Sequence, residues 1–321
     1  MLNPYDIQTL EKEIRDLYQR KRFCNAFFKK ALPPEDCPAP AFKIFPTLEI
    51  IERHDSKIDG ATKLVFKTQD DHRVEAVILR IASGRTSLCI SSQIGCAAGC
   101  EFCATGKLGF VRNLTSAEML DQVLLARRLL REEGRMLRNV VVMGMGEPLH
   151  NEENLFHCLE ILRDPMFFNL SENHLLVSTV GIPDAMVRFS ECFPNIRLAL
   201  SLHSARQEVR EKLMPVAKIQ TLEKLKAVLP SIGPCMIEYL MLKGINDGPE
   251  DLEALKEFLS GTDAHINLIQ FNAHSGAEFE PVPKEAREAF GKELRKAGFK
   301  TTLRYSLGDD IAAACGQLAG K

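Results

Sequence analysis

The chain has 321 residues, 45% of them hydrophobic and 26% charged, with a formal net charge of −2. Values this close to the averages for soluble globular proteins exclude a collagen, a long coiled coil and a mostly disordered chain, and the length suffices for one large domain or two unequal ones. No apolar run approaches the ~18–20 residues of a membrane helix, the opening MLNPYDIQTLEKEIRD is not a secretory signal, and the near-zero charge argues against a protein that binds nucleic acid over its whole surface. A cytoplasmic protein with no membrane partner is expected.

Residues 6–31 alternate charged and apolar positions at helical spacing and end in FFKKAL. PPEDCPAPAFKIFP (33–46) carries five prolines in fourteen residues and reads as a linker or extended arm. TKLVFKT (62–68) and RVEAVILR (73–80), joined by the polar QDDH, read as a β-hairpin. From Ser87 onward strands and helices alternate. The predicted strands are 87–91, 138–144, 175–179, 196–202, 235–241 and 266–271, and the helices lie near 115–133, 152–163, 183–191, 206–229 (broken near Pro215), 249–260 and 284–297. A short TTLRY (301–305) follows. Six β/α units in sequence imply a parallel sheet, because each strand must return through a crossover helix. They fall short of the eight units of a closed barrel, so an α/β fold built as a partial (β/α)6 barrel is expected. The expected division is a helical accessory segment and linker (1–45), a β-hairpin extension (46–86) and the partial barrel with a C-terminal segment (87–321).

The ten cysteines of a chain without an export signal read as thiols, metal ligands or catalytic groups rather than as disulfides. Cys24, Cys37, Cys158, Cys192 and Cys235 read as small buried hydrophobes, but Cys96, Cys100 and Cys103 fall within eight residues. A structural zinc ion usually takes four protein ligands, and no second Cys/His pair follows at zinc-finger spacing. Three thiolates suit a [4Fe–4S] cluster with one iron left open, with zinc or a chance run of thiols as the other readings. Phe102 could shield one side of a cluster. Ligands of parallel sheets bind at the C-terminal strand ends. There the alternation collects the cysteine loop, GMGEP (144–148), Ser178-Thr179, Ser201-Leu202-His203 and Phe271-Asn272. Glycines admit close backbone approach, and Glu147 can accept a charge-assisted hydrogen bond from an ammonium group.

Cys96/Cys100/Cys103 with Phe102, followed by GMGEP, resembles the radical S-adenosylmethionine (SAM) superfamily. LCISSQIGCAAGCEFCATGKLGFVRNLTSAEM, NVVVMGMGEPLHN, LALSLHSA, IEYLMLKGINDG, INLIQFN and GDDIAAACGQLAG narrow the resemblance to the rRNA adenine methyltransferases RlmN and Cfr, over residues from about 60 to 318. The resemblance implies a [4Fe–4S] cluster on Cys96, Cys100 and Cys103. It also implies SAM contacts from Gly146, Glu147, Ser178, Ser201, Leu202, His203 and Asn272, with two SAM molecules consumed per turnover. One methylates Cys315. The other yields a 5′-deoxyadenosyl radical that takes hydrogen from the S-methyl group, so that the resulting radical adds to an adenine ring carbon. Glu75 then acts as base, and Cys89 releases the product by forming a disulfide with Cys315. An sp² ring carbon with no acidic proton would not react by ordinary SN2 transfer, whereas a thiolate is a good SN2 nucleophile. The implied substrate is C2 of an adenine in 23S rRNA, with tRNA as a further substrate, and the implied donor of electrons is a flavodoxin or ferredoxin; a monomer is expected. The other readings are C8 methylation, a smaller RNA, or a non-catalytic iron–sulfur module.

This chain departs from the family pattern in four places. One extra residue separates Glu75 from Cys89, Thr179-Val180-Gly181 stands where the family has Thr-Ser-Gly, only about forty residues precede the hairpin, and the sequence ends at Lys321 without a basic tail. The local basic candidate for RNA is Lys107 to Arg138, with Arg112, Arg127, Arg128, Arg131, Arg135 and Arg138, to which Lys29 and Lys30 could add; four acids dilute it. GDDIAAACGQL reads as an Asp-capped helical turn, yet Cys315 must meet both SAM and the substrate base, so a mobile 305–318 segment is expected.

Overall fold

The computed structural model describes residues 3–38, 46–274 and 278–319. At the N-terminus, α1 (Ile7–Glu13) and α2 (Leu17–Cys24) replace the single helical run expected over 6–31. The break follows from capping. Asp6 accepts the Gln8 amide and Asp16 accepts the Gln19 amide, so each aspartate starts its own helix. One π-turn (Asn25–Lys29) then buries Phe27 and Phe28, with the Phe28 ring against Phe167 and Phe168. Of the proline-rich stretch 33–46, residues 39–45 lie outside the described residues.

One ten-stranded sheet organises the rest. Its antiparallel part contains β1 (Leu48–Asp55), β2 (Ala61–Thr68) and β3 (Arg73–Arg80), and β3 pairs antiparallel with β4 (Thr86–Ile90). The expected hairpin is therefore the centre of a meander. LEIIERHD gives no clean alternation because β1 is an edge strand with a bulge at Ile50/Glu52 and only Leu48 fully buried. After β4 comes a small ladder of β5 (Gln93–Gly95) with β6 (Phe110–Asn113), which brackets the cysteine loop. The parallel part continues with α3 (Ser116–Glu132), β7 (Asn139–Val142), α4 (Glu152–Arg163), β8 (Leu175–Thr179), α5 (Pro183–Cys192) and β9 (Arg197–Ser201). Next come α6 (Gln207–Leu213), α7 (Leu222–Val228), β10 (Cys235–Met241), α8 (Pro249–Phe258), β11 (Ala264–Gln270), α9 (Lys284–Lys296) and β12 (Lys300–Arg304). The expected break in 206–229 is a 3-10 turn at Pro215–Lys218 between α6 and α7.

Strands β4, β7, β8, β9, β10, β11 and β12 run parallel in chain order. The six crossovers of the partial (β/α)6 barrel are thus all present, and TTLRY supplies a final strand, β12. Residues from β3 through β12 line one common cavity, so the sheet curls around it. The apolar core fills the space between sheet and helices; Met119, Leu120 and Val123 of α3 and Leu155 and Leu159 of α4 are buried there. No helix among the described residues is long and apolar enough to cross a membrane.

Five of the six arginines of the basic segment have structural partners. Arg112 forks onto Asp70 and Glu118 at 2.6–2.9 Å. Arg127 lies over the Phe168 ring and donates to the Phe28 carbonyl at 2.9 Å, Arg128 lies over Phe27, and Arg131 donates to the Ala31 carbonyl. Arg138 donates to His174. Arg127, Arg128 and Arg131 thus clamp the N-terminal segment, while Arg135 and Arg138 stay exposed.

Candidate active site

The cavity occupies about 450 Å³ at the C-terminal ends of the parallel strands and extends down into the sheet's concave face. Cys89, Cys96, Cys100, Cys103, Gly146, Glu147, Ser178, Ser201, His203 and Cys315 all line it. Three expected site residues do not. Leu202 is buried beneath the wall, Asn272 holds the Cys315 loop from behind, and Glu75 lies buried on β3.

The cysteine loop leaves β5 and returns along β6, tied by the Cys96 amide to the Gly109 carbonyl at 2.9 Å. Backbone amides of Ala98 and Gly99 point at the Cys96 sulfur, and those of Thr105 and Gly106 at Cys103, each favouring a thiolate. Burial works the other way and pushes the Cys96 thiol up to about 11. Gly106 admits no side chain, since a Cβ there would sit 2.8 Å from the Cys100 carbonyl oxygen. Phe102 meets His203 edge-on at 4.9 Å.

After β7 the chain turns through Gly146, whose φ of +102° and contact with the Gln93 side chain exclude a Cβ. This turn delivers Glu147 into a nearly closed setting. Its carboxylate accepts the Leu149 amide (3.0 Å), the Thr179 hydroxyl (2.7 Å) and the Val180 amide (2.8 Å). Burial outweighs these bonds and lifts the carboxyl to about 7. Val180, which departs from the family's serine, contributes its backbone N–H here. Ser178 and Ser201, at the ends of β8 and β9, approach within 3.2 Å.

His203 adopts a left-handed backbone conformation, φ +57°. Asn246 donates to its carbonyl at 2.6 Å, and the Leu240 amide donates to Nδ1 at 3.0 Å. Burial and the nearby Arg210 push its pKa down to about 3, so the ring is neutral. Arg210 itself is fully buried and donates to the carbonyls of Leu202, Gln220 and Val180, binding three loops of the rim together.

The segment after β12 forms one 3-10 turn, Asp309–Ile311, in place of an Asp-capped helix, with Gly308 at its start. It is tied to the cysteine loop: the Ala104 amide donates to Gly316 O at 2.7 Å and the Thr105 hydroxyl to Leu318 O at 2.6 Å. Asn272 donates to Ser306 Oγ and the Cys315 carbonyl, while Gln317 ties Ala273 to Asp309. Cys315 and Cys89 are both free thiols on the cavity wall, and burial pushes Cys89 up to about 12. Glu75 is enclosed. It is 1% exposed, pairs with Lys63 at 3.4 Å and accepts the Ala319 amide at 2.9 Å.

Two cavity residues escaped the sequence reading. Glu238 on β10 accepts the Asn267 side-chain amide on both carboxylate oxygens at 3.0–3.2 Å, and Arg304 on β12 lies 3.8 Å from it and beside Cys315 and Cys89. A carboxylate inside the apolar run CMIEYLM was the available signal for the first; TTLRY, read as a trailing fragment, hid the second. Of the five cysteines expected as buried hydrophobes, four are buried and Cys192, near the end of α5, is exposed.

Residues 90–259 match the family model of the Radical SAM superfamily. A probable RNA methyltransferase of Rhodopirellula baltica is 50% identical over 85% of this chain and 73% of its own length. A probable dual-specificity RNA methyltransferase RlmN of Thermus thermophilus is 42% identical over 82% of this chain and 75% of its own. The crystal structure of a radical SAM methyltransferase from Sphaerobacter thermophilus superposes with a TM-score of 0.89 at 32% identity, covering 99% of each chain.

Proposed function

The chain belongs to the radical SAM superfamily and within it to the RlmN-type RNA methyltransferases, and from that premise we propose that it methylates C2 of an adenine in 23S rRNA and in tRNA. The observation that carries this reading is the pair Cys89 and Cys315 on the wall of one cavity with Cys96, Cys100, Cys103 and Glu147. A binding module would need neither thiol of the pair.

The donor set fits a [4Fe–4S] cluster. Three thiols share the cavity with amides aimed at two of the sulfurs. Three cysteine ligands suit a cluster with one iron left open better than a structural zinc, which takes four protein ligands. When bound, the cluster supplies the electron that opens SAM to radical chemistry, with a flavodoxin or ferredoxin as the source.

The chain's own groups then divide the work. Glu147 would take the α-ammonium of SAM, with the backbone at Gly146 passing close by. Ser178, Ser201 and the Leu202-His203 turn would hold the remainder, and neutral His203 offers no competing charge. Asn272 would orient the Cys315 loop through its carbonyl. Cys315 Sγ would carry the methyl group, and Cys89 Sγ would close on it to release product. Glu75, proposed to receive the ring proton, lies outside the cavity with the Ala319 amide on one carboxylate oxygen, so movement of the segment that carries Cys315 would open it to the adenine.

The deciding experiment uses anaerobically reconstituted protein, SAM, a reductant and unmethylated RNA, with nucleosides from separated rRNA and tRNA analysed by mass spectrometry. 2-Methyladenosine from both pools is expected. 8-Methyladenosine would replace the C2 assignment, and Cys315 left unmodified beside an intact cluster would refute the two-SAM reading.

A further inference from the structure

Tyr305 directly follows the last strand, one residue beyond Arg304, and lines the cavity that holds Cys315. The residue is 56% exposed, unusual for a large aromatic at the edge of a catalytic cavity. Arg287, from the first turn of α9, lies behind it, with its guanidinium 5.8 Å from the ring centroid. Arg287 is only 4% exposed. Its Nη2 donates to Gln270 Oε1 at 2.9 Å, while Nε and Nη1 find no hydrogen-bond partner among the described residues. A buried guanidinium with two unpaired nitrogens is costly; here the ring it faces offsets part of that cost through a cation–π contact and is itself held in place at the rim. A second cation, Arg85, is exposed in the turn between β3 and β4 and lines the same cavity.

We propose that Tyr305 is a stacking platform for a nucleobase flanking the target adenine, with Arg287 as the residue that positions the ring. The proposal rests on the RNA-methylating reading above and extends it to how the RNA is gripped. An adenine that reaches Cys315 must leave its stack, and the base beside it then has an open π-face that an exposed aromatic can cover without regard to sequence. Arg287 beneath the ring and Arg85 on the wall give the rim the positive charge a phosphate strand favours. The acidic alternative, docking of an electron-donor protein, suits this rim less well because the ring stands on the wall of the substrate cavity itself.

The test compares wild type, Tyr305→Phe, Tyr305→Ala and Arg287→Met as reconstituted holoenzymes on unmethylated tRNA and a 23S rRNA fragment. Cys315 S-methylation, read by intact mass without RNA, reports that each variant is folded and loaded. Tyr305→Ala should raise KM for RNA about ten- to hundredfold while Tyr305→Phe, which keeps the π-face, stays within about twofold of wild type. Arg287→Met should fall between them, and its loss should appear in KM rather than kcat. If wild type methylates RNA and Tyr305→Ala does so with unchanged KM, the platform assignment fails while the function stands. A defect of Tyr305→Ala confined to cluster reduction by flavodoxin would also overturn it in favour of a donor-docking role. Wild-type protein that loads Cys315 but neither binds nor methylates RNA removes the underlying reading, and this proposal with it.

Discussion

Glu147 and His203 sit on one cavity wall and are driven in opposite directions by the same cause, burial, which disfavours charge on either group. For Glu147 the folded value of about 7 lies above the ordinary 4.5, so between these the folded chain keeps a proton the unfolded chain has lost. The contribution of Glu147 to the stability of the ligand-free protein should therefore fall as pH rises through this window and level off above about 7. Glu147→Gln should lack that component, read as the difference between wild-type and variant thermal melts from pH 4.5 to 8. SAM binding should show the reverse trend: affinity increases with pH toward about 7, because the ammonium requires the ionised carboxylate. Calorimetry of Glu147→Gln should show affinity reduced about tenfold or more, with the pH trend removed. His203 contributes the opposite slope to stability, because below 6.5 the unfolded chain binds a proton that the folded ring, held down to about 3, does not; it adds no pH dependence to SAM binding above that folded value. The two thiols give a sharper pair of outcomes. Cys315→Ala should abolish methyl transfer with iron and sulfide content unchanged, and Cys89→Ala should accumulate a covalent protein–RNA adduct visible by denaturing electrophoresis. Normal turnover by Cys89→Ala would rule out disulfide release in this chain.

At the scale of elements, α3 does more than cross over between β4 and β7. Its start is a reciprocal capping box, Thr115 with Glu118, and one turn later Asp121 accepts the Tyr5 hydroxyl and the Thr47 hydroxyl and backbone amide. One buried carboxylate thus joins the N-terminal helices, the start of β1 and the partial barrel. Asp121→Ala would leave several buried donors without acceptors and should cost about 2–4 kcal/mol in a denaturant melt, with the cluster loop unaffected. The long helices were legible because capping residues and 3.6-residue periodicity are local; 115–133, 152–163 and 284–297 each match a helix to within about two residues. β1, β5 and β6 were not legible. β1 is buried on one side only at its first residue, and β5 and β6 are three and four residues long, so none carries a two-residue alternation of useful length.

Across the whole molecule, a net charge of −2 conceals a marked division of labour among the arginines. Arg127, Arg128 and Arg131 are spent on aromatic rings and carbonyls of the N-terminal segment, and Arg112 on two carboxylates. Arg127→Ala should therefore lower thermal stability while leaving the salt dependence of RNA binding unchanged, whereas a phosphate-contacting arginine would reduce that slope by about one. A reduced slope would return α3 to the RNA interface.

The order of elements, the parallel sheet, the cysteine loop and the strand-end motifs were determined by sequence alone, because each depends on residues close together in the chain: a cap, a periodicity, a Cys-x-x-x-Cys-x-x-Cys run. Only the tertiary structure decided how distant segments meet. It placed Glu75 under Ala319, 244 residues away, and out of the cavity, it set Arg304 and Glu238 among the thiols, and it laid Arg127 and Arg128 over aromatic rings. The reason is physical. Burial, long-range pairing and the choice of which charge faces which partner are properties of the packed chain, and no local pattern of residues encodes them.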